Sequence, residues 1–254
     1  MLFAAVTVLA LSASGDEFGF APDQPSAEFH FTRLLYSDID SSFGRGRYGF
    51  GGGGCGANWC IDYPEAETHF RQGLSRLTRV DTGEQARILR ITDDTIFDYP
   101  WLYAVEVGYW SLNDVEAARL REYLLRGGFM IVDDFHGRRE WLGFTETLKQ
   151  VFPDRPILDI PADDEVLHVM YDLDQLIQIP GLVSIRNGTT YEKGGIDPHW
   201  RGVYDDNGRL MLAINHNMDL GDAWEHADDP YYPEPMTGLA YRFAVNYVIY
   251  AMTH

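Results

Sequence analysis

The sequence is short of basic side chains. Lysine and arginine number 20 against 39 aspartates and glutamates, so the 254-residue chain carries a formal net charge of -19. A surface of that sign repels the phosphates of nucleic acids and gains nothing from an anionic membrane, so we expect no nucleic-acid partner. The acidic excess predicts a solvated surface that keeps the protein soluble, and an acidic binding face is the alternative.

Cysteine is also scarce. The two cysteines, Cys55 and Cys60, stand among glycines, and no second Cys or His pair accompanies them at zinc spacing. Their ligand set for zinc is therefore incomplete. Their short separation allows a bond between them, so we predict a local disulfide in an oxidising compartment.

Long apolar runs are missing as well. The run at residues 2–11, LFAAVTVLAL, is too short to span a bilayer, and small residues follow it at positions 12–14. We therefore predict a signal peptide over residues 1–14, a mature chain that begins near Gly15, and export to the periplasm. An ordinary buried strand is the alternative. No later stretch predicts a transmembrane segment.

Hydrophobic residues make up 45% of the chain, which is enough for a packed core. Across the first 150 residues, strand patterns alternate with helix patterns, and this order predicts an open, doubly wound, mostly parallel α/β sheet with helices on both faces. The predicted strands cover residues 28–36, 87–91, 102–107 and 129–132, and the predicted helices run from Pro64 through Leu77, from Asn113 to Leu125, and through Trp141, Phe144 and Leu148.

The remaining third of the chain is less regular, although residues 15–254 together predict a single domain. The predicted elements there are a strand at 183–186, a hairpin over 202–215 that turns at 206–208, and a closing helix at 239–251. A glycine-rich loop is predicted near residues 44–56. Because this loop lacks the Lys-Ser/Thr ending of a P-loop, we do not expect it to hold phosphate.

A polar cluster follows the predicted central strand. The run FMIV at residues 129–132 is too apolar for an edge strand, and Asp133, Asp134 and His136 come after it. In an open parallel sheet, ligands collect at the carboxyl ends of the strands. Two carboxylates and an imidazole at that edge predict a functional cleft. The alternative is that Asp134 or the residues after it only cap the next helix.

A second polar cluster lies at residues 215–225. Its amides and carboxylates recur at the short spacing that calcium prefers, with Asp219, Asp222 and Glu225 as the predicted metal ligands. The match to an EF-hand loop is partial, because the glycine and the final glutamate are each displaced by one position. A solvated acidic loop is the alternative.

Asp62 precedes the first predicted helix and belongs to the same predicted edge of the sheet. The side chains predicted to contact a small polar ligand are Asp62, Tyr63, Asp133, Asp134, Asn215, Asn217 and Asp219. The candidates for catalysis are Asp134, His136 and His216, because a carboxylate or a neutral imidazole serves as a base near neutral pH.

Several dispersed segments together are familiar: NWCIDYPEAE, IFDYPWLYAVEVG, LREYLLRGGFMIVDDFHG, AINHNMDLGDAWE and YRFAVNYVIYAMTH. In this order they resemble a bacterial family catalogued as a domain of unknown function, number four-one-five-nine. The resemblance extends from Phe29 to His254.

The third of these segments also resembles the nucleophile-elbow region of the class I glutamine amidotransferase-like superfamily and its trehalose-utilisation-like relatives. That resemblance implies a three-layer, flavodoxin-like fold. Where an amidotransferase holds its cysteine nucleophile, this chain has residues 133–135, an Asp-Asp-Phe sequence. Thiol-based glutaminase chemistry is therefore not expected.

Two functions compete. The first is a cell-envelope binding or assembly module that holds a small polar ligand, for example a carbohydrate, or an envelope protein. The second is a hydrolase that uses a metal ion or a carboxylate and histidine pair. Convergence of Asp62, Asp134, His136 and residues 215–225 on one site would favour the hydrolase.

Overall fold

The structure is a computed structural model, and it describes residues 27–38 and 56–254. Its strands are β1 (Thr32–Leu35), β2 (Ser37–Asp38), β3 (Arg87–Arg90), β4 (Trp101–Val105), β5 (Trp110–Ser111), β6 (Phe129–Phe135), β7 (Leu158–Asp159), β8 (His199–Tyr204) and β9 (Leu210–His216). Its α-helices are α1 (Glu65–Leu77), α2 (Asp114–Leu125), α3 (Gly137–Val151), α4 (Leu182–Arg186), α5 (Leu220–Glu225) and α6 (Glu234–Thr253).

Seven strands form the main sheet, in the order β3-β1-β4-β6-β9-β8-β7. The first five in that order run parallel to one another, and β8 and β7 continue the sheet in antiparallel fashion. Strands β2 and β5 form a separate antiparallel pair. The predicted mostly parallel α/β sheet is therefore confirmed.

Helices cover both faces of this sheet. Side chains of β4 alternate between two hydrophobic clusters: Trp101 and Tyr103 pack in one, and Leu102 packs in the other. The first cluster includes residues of α1, α5 and α6, and the second includes residues of α2 and α3. Central strands buried on both faces have continuous apolar sequences, which is why FMIV predicted one.

The predicted strand at residues 183–186 is wrong, because this segment forms helix α4. A strand would place Val183 and Ile185 on the same face. Instead Val183 is 46% exposed, whereas Leu182 and Ile185 pack toward the core with helical spacing. Short apolar runs do not distinguish a strand from a helical turn.

Other predicted elements are confirmed within a few residues. The hairpin joins β8 to β9, and the closing helix corresponds to α6. No helix in the described ranges is both long and apolar enough to cross a bilayer. The predicted signal peptide, Cys55 and nearly all of the predicted glycine-rich loop lie outside the described residues.

Candidate functional site

Strand β6 ends in an irregularity that places two carboxylates at the carboxyl edge of the sheet. The register between β6 and β9 shifts between Val132 and Phe135, and Asp134 has a φ of 49°. A bulge of this kind adds a residue to one strand and changes the direction of its side chains. Asp133 and Asp134 therefore lie within the strand, whereas the sequence predicted that the strand stops before them.

Asp133 connects this edge to helix α5. Its Oδ2 accepts hydrogen bonds from the Tyr103 hydroxyl at 3.1 Å, the Leu220 amide at 2.7 Å and the Gly221 amide at 3.0 Å. Burial raises the pKa of Asp133 to about 7, although these hydrogen bonds oppose the rise. Asp133 thus fixes the beginning of α5 against β6.

Asp134 belongs to a group of three buried side chains. One ligand atom from each of Asp134, His136 and Asp219 lies within 4.8 Å of the other two. His136 Nε2 is 3.1 Å from Asp134 Oδ1. Burial, followed by the positive charge of Lys193, lowers the pKa of His136 to about 3, so its imidazole is neutral at pH 7. Burial raises the pKa of Asp134 well above its usual value.

Asp134 does not cap the next helix, which was the alternative role for this residue. The residue at the N-cap of α3 is His136, and its side chain makes no capping hydrogen bond. Its backbone amide instead donates to Glu140 Oε2 at 2.6 Å. The Asp134 carboxylate is therefore available to the group with His136 and Asp219.

Asp62 joins a second group at the same edge. A carboxylate oxygen from each of Asp62, Asp219 and Asp222 lies within 4.8 Å of the other two. Arg33 positions the chain just before Asp62, because its Nη1 donates to the carbonyls of Trp59 and Ile61 at 2.9 and 3.0 Å. Burial, with the charges of neighbouring acids, raises the pKa of Asp62 well above its usual value.

The predicted acidic loop at residues 215–225 is partly helical. Its first residues end β9, and Asp219 caps α5 by accepting a hydrogen bond from the Asp222 amide at 2.7 Å. The predicted calcium ligands divide between two groups. Asp219 and Asp222 meet Asp62, and Asp222 also meets Glu225 and His226 at the other end of α5. Asp219 at the start of a helical segment is also a typical N-cap residue, and the calcium prediction did not take this role into account.

Three other predicted site residues have contacts of their own. Asn215 Oδ1 accepts a hydrogen bond from the Tyr247 hydroxyl at 2.8 Å, on the face covered by α6. Tyr63 is half-buried and packs against the hydrophobic cluster on the opposite face. His216 Nε2 lies 3.2 Å from the Gly137 carbonyl, and its ring packs on other aromatic rings.

Asn217 connects the beginning of α3 to the segment at Asp197, beside the acidic groups. Its Oδ1 accepts from the Gly137 amide at 2.8 Å, and its Nδ2 donates to the Asp197 carbonyl at 2.7 Å. A Cβ at Gly195 would clash with the Asn217 side chain, so this close approach requires glycine. Asn217 therefore positions the edge of the site through hydrogen bonds to the main chain.

Four charged residues near the site were missed by sequence reasoning: Glu106, Glu140, Glu192 and Lys193. Lys193 Nζ lies 2.8 Å from Glu140 Oε1 and 3.4 Å from Glu106 Oε1. Burial raises the pKa of Glu106 to about 7, against the lowering effect of Lys193. Glu106 directly follows β4 and so obeys the strand-end rule that found Asp134. The segment with Glu192 and Lys193 carries no comparable sequence signal.

Backbone conformation marks the same region. The non-glycine residues with positive φ in the described ranges are Asp62, Glu106, Asp134, Lys193 and Asn217. All of them lie in or beside the acidic groups at the carboxyl edge. Such conformations cost free energy and cluster at functional sites, where surrounding structure holds them in place.

The charges of this edge are incompletely balanced. Among the described residues, no lysine or arginine forms an ion pair with Asp62, Asp134 or Asp219. The two nearby cations are already engaged, because Arg33 pairs with Glu67 and Lys193 pairs with Glu140. Buried carboxylates in this situation must take up protons or bind a cation.

The fold and the site together define an α/β protein with a mostly parallel sheet and a buried group of carboxylates and an imidazole at its carboxyl edge. The family model described as Domain of unknown function (DUF4159) matches residues 42–252. The chain belongs to this family, which confirms the first resemblance. No curated protein matches the chain.

Proposed function

We propose that the protein binds a divalent cation through Asp134, His136 and Asp219, and that this cation holds a small polar ligand. The observation that carries the proposal is that one ligand atom from each of these buried side chains lies within 4.8 Å of the other two. Among the described residues, Arg33 and Lys193 pair with Glu67 and Glu140 and not with these carboxylates. A neutral imidazole with two carboxylates is a ligand set that zinc, manganese and iron accept. Calcium prefers oxygen ligands alone, so the histidine favours a transition metal or zinc.

The strand order supports this location. The five parallel strands occur in the order second, first, third, fourth and fifth along the chain, which is the flavodoxin-like order. Ligands of such sheets bind beside the first strand, where the strand order reverses. Asp62 follows β1 along the chain and Glu106 follows β4, the two strands that flank this point. The same order supports the flavodoxin-like fold that the amidotransferase-like resemblance implies.

A binding or assembly module in the cell envelope is the setting that we propose for this site. The apolar run at residues 2–11 supports export to the periplasm, and a disulfide between Cys55 and Cys60 would suit that compartment. The ligand would be small and polar, because the groups at this edge are carboxylates, an imidazole and main-chain amides.

Hydrolysis is the second candidate function, and the adjacency of Asp134 and His136 favours it. Burial raises the pKa of the Asp134 carboxyl, which lies 3.1 Å from His136 Nε2, and such a carboxylate can accept a proton from water. With a cation beside it, water would be the nucleophile in place of the cysteine that an amidotransferase uses. Cation-dependent turnover of nitrophenyl esters or phosphate esters would distinguish hydrolysis from binding alone.

Elemental analysis of protein purified without chelator tests the proposal. We expect zinc, manganese or iron in wild type, and we expect its loss in His136→Gln. A matched control is Asp172→Asn, because Asp172 and His168 form a carboxylate and imidazole pair at 2.9 Å on the surface. Wild type that contains no divalent cation, and that zinc or manganese does not stabilise against heat, would contradict the proposal.

A further inference from the structure

We infer that the site takes two divalent cations, with the Asp219 carboxylate bridging them and with Asp62 and Asp222 completing the second position. This inference rests on the proposed function, because Asp219 is also a ligand of the first cation. Asp219 belongs both to the group with Asp134 and His136 and to the group with Asp62 and Asp222. A carboxylate has two oxygens and can therefore contact both ions of a two-metal site, in which the ions typically lie about 3.5–4 Å apart.

Asp62 gives the independent evidence for the second position. The residue is only 1% exposed, and its Oδ2 has no hydrogen-bond partner among the described residues. A buried acceptor without a partner is costly, and native structures rarely keep one without a reason. A cation held with Asp219 and Asp222 would satisfy this oxygen.

Two glycines, Gly221 and Gly181, allow these carboxylates to approach one another closely. A Cβ at Gly221 would clash with Asp62 Oδ2, so the carboxylate can approach α5 only because residue 221 has no side chain. A Cβ at Gly181 would lie 2.7 Å from both Asp219 Oδ2 and Glu192 Oε1. Glu192 lies beside this position, where its Oε1 accepts a hydrogen bond from the Ser184 hydroxyl at 3.2 Å.

Other contacts hold the ligands in place. Asp222 Oδ2 accepts a hydrogen bond from the Leu182 amide at 2.6 Å, and Asp219 Oδ1 accepts one from the Asp222 amide at 2.7 Å. Each carboxylate therefore keeps one oxygen without a main-chain bond. Asp219 Oδ1 also keeps a lone pair beside its hydrogen bond, so both oxygens of this carboxylate can contact an ion. Ligands oriented in advance by hydrogen bonds bind metal ions more tightly.

The charges agree with two ions. The two groups together contain four carboxylates, those of Asp62, Asp134, Asp219 and Asp222, and a neutral imidazole. Two divalent cations balance four ionised carboxylates, whereas with one cation two of the carboxyls must take up protons instead. Among the described residues, no lysine or arginine forms an ion pair with these four side chains.

The test is manganese binding to chelator-treated, full-length protein, measured by calorimetry together with electron paramagnetic resonance. We expect two Mn²⁺ per chain in wild type, with the altered resonance spectrum of two spin-coupled ions. Asp62→Asn should bind one Mn²⁺ with an uncoupled spectrum, and His136→Gln should also lose one ion. Asp219→Asn should weaken both ions, and the surface variant Asp172→Asn should bind two.

The outcomes separate this inference from the proposed function. One Mn²⁺ per wild-type chain, lost in His136→Gln and kept in Asp62→Asn, would overturn the two-ion inference and leave the proposed function standing. Wild type that binds no Mn²⁺ would overturn both. Two ions without spin coupling would also overturn the bridging role of Asp219. If Asp62→Asn does not fold, as judged by circular dichroism, the wild-type stoichiometry and spectrum decide the question.

Discussion

Glu67 and Asp62 are both almost fully buried, yet only Glu67 has an arginine ion-pair partner among the residues that the structure describes. The Arg33 guanidinium pairs with Glu67 and donates to two carbonyls just before Asp62. Asp62 itself faces Asp219 and Asp222. The charge of Glu67 is therefore neutralised within the chain, whereas the charges of Asp62, Asp219 and Asp222 can be neutralised only by protons or by a bound ion.

The largest effect is expected where the chain has paired its charges. Arg33→Met leaves Glu67 charged and buried without its partner, which should lower the free energy of unfolding by about 3–5 kcal/mol. Urea denaturation measures this loss. Adding Glu67→Leu should recover part of it, because removing both charges avoids the unpaired one. A single variant as stable as wild type would show that the pair is not the structural element we describe.

Asp219→Asn should have the next largest effect, this time on ion binding. The variant removes one charge from both groups, and we expect at least about 100-fold weaker affinity for Zn²⁺ or Mn²⁺, since losing even a supporting contact costs 10- to 100-fold. Asparagine caps helices about as well as aspartate, so the metal-free variant should remain folded. Calorimetry measures the affinity, and wild-type affinity in this variant would contradict the shared role of Asp219.

Stability of the metal-free protein should depend on pH with a sign opposite to that of ordinary ion-paired acids. Burial raises the pKa of Asp133 to about 7, and raises those of Asp62, Asp134 and Asp219 well above their usual values. A raised folded-state pKa means that the folded protein holds more protons than the unfolded chain above about pH 4. The contribution of these carboxyls to stability is therefore greatest near pH 4 and falls as the pH rises through 7. The lowered pKa of His136 acts in the opposite direction below about pH 6.5, because the unfolded chain then binds the proton that the buried imidazole does not.

Urea denaturation at pH 6.5 and pH 8.5 in the presence of chelator checks this expectation, because the contribution of the buried histidine is small in this range. A carboxyl whose pKa is higher by one in the folded protein than in the unfolded chain loses about 1.4 kcal/mol on ionisation, so the total loss should amount to a few kcal/mol. Adding Mn²⁺ at pH 8.5 should restore stability, because the ion replaces the protons. Metal-free protein that becomes more stable toward pH 8.5 would contradict the burial of uncompensated carboxylates.

The smallest effect is expected for Asp62→Asn without metal. The substitution removes a buried charge that lies among like charges, so the variant should equal wild type or exceed it by up to about 1 kcal/mol. Thermal and urea unfolding in chelator measure the difference. With Zn²⁺ or Mn²⁺ present, wild type should become the more stable protein. A large loss in metal-free conditions would instead assign Asp62 a structural role like that of Glu67.

The sequence predicted the edge of the sheet well, because its signals are local. FMIV is apolar enough to require burial on both faces, and the acids after it must emerge at the carboxyl edge. The different roles of Asp133 and Asp134 could not be predicted. They depend on a bulge whose register is set by pairing with β9, far along the chain.

Contributions from the rest of the chain were harder to predict. Lys193 reaches Glu106 and Glu140 only through the tertiary fold, and its segment has no periodic pattern. The same aspartates in residues 215–225 fit both a helix N-cap and a metal-binding loop, and composition alone does not distinguish the two roles. Which acids meet at Asp219 depends on the packing of α5 against β6, a contact between distant segments.

Anomalous diffraction from crystals grown with Zn²⁺ or Mn²⁺ would show whether Asp134, His136 and Asp219 hold a cation, because it locates the ion among its ligands. We expect an anomalous peak at the carboxyl edge, about 2.0–2.2 Å from a nitrogen of His136 and from oxygens of Asp134 and Asp219. Peaks confined to surface pairs such as His168 and Asp172, with none between these three residues, would contradict it.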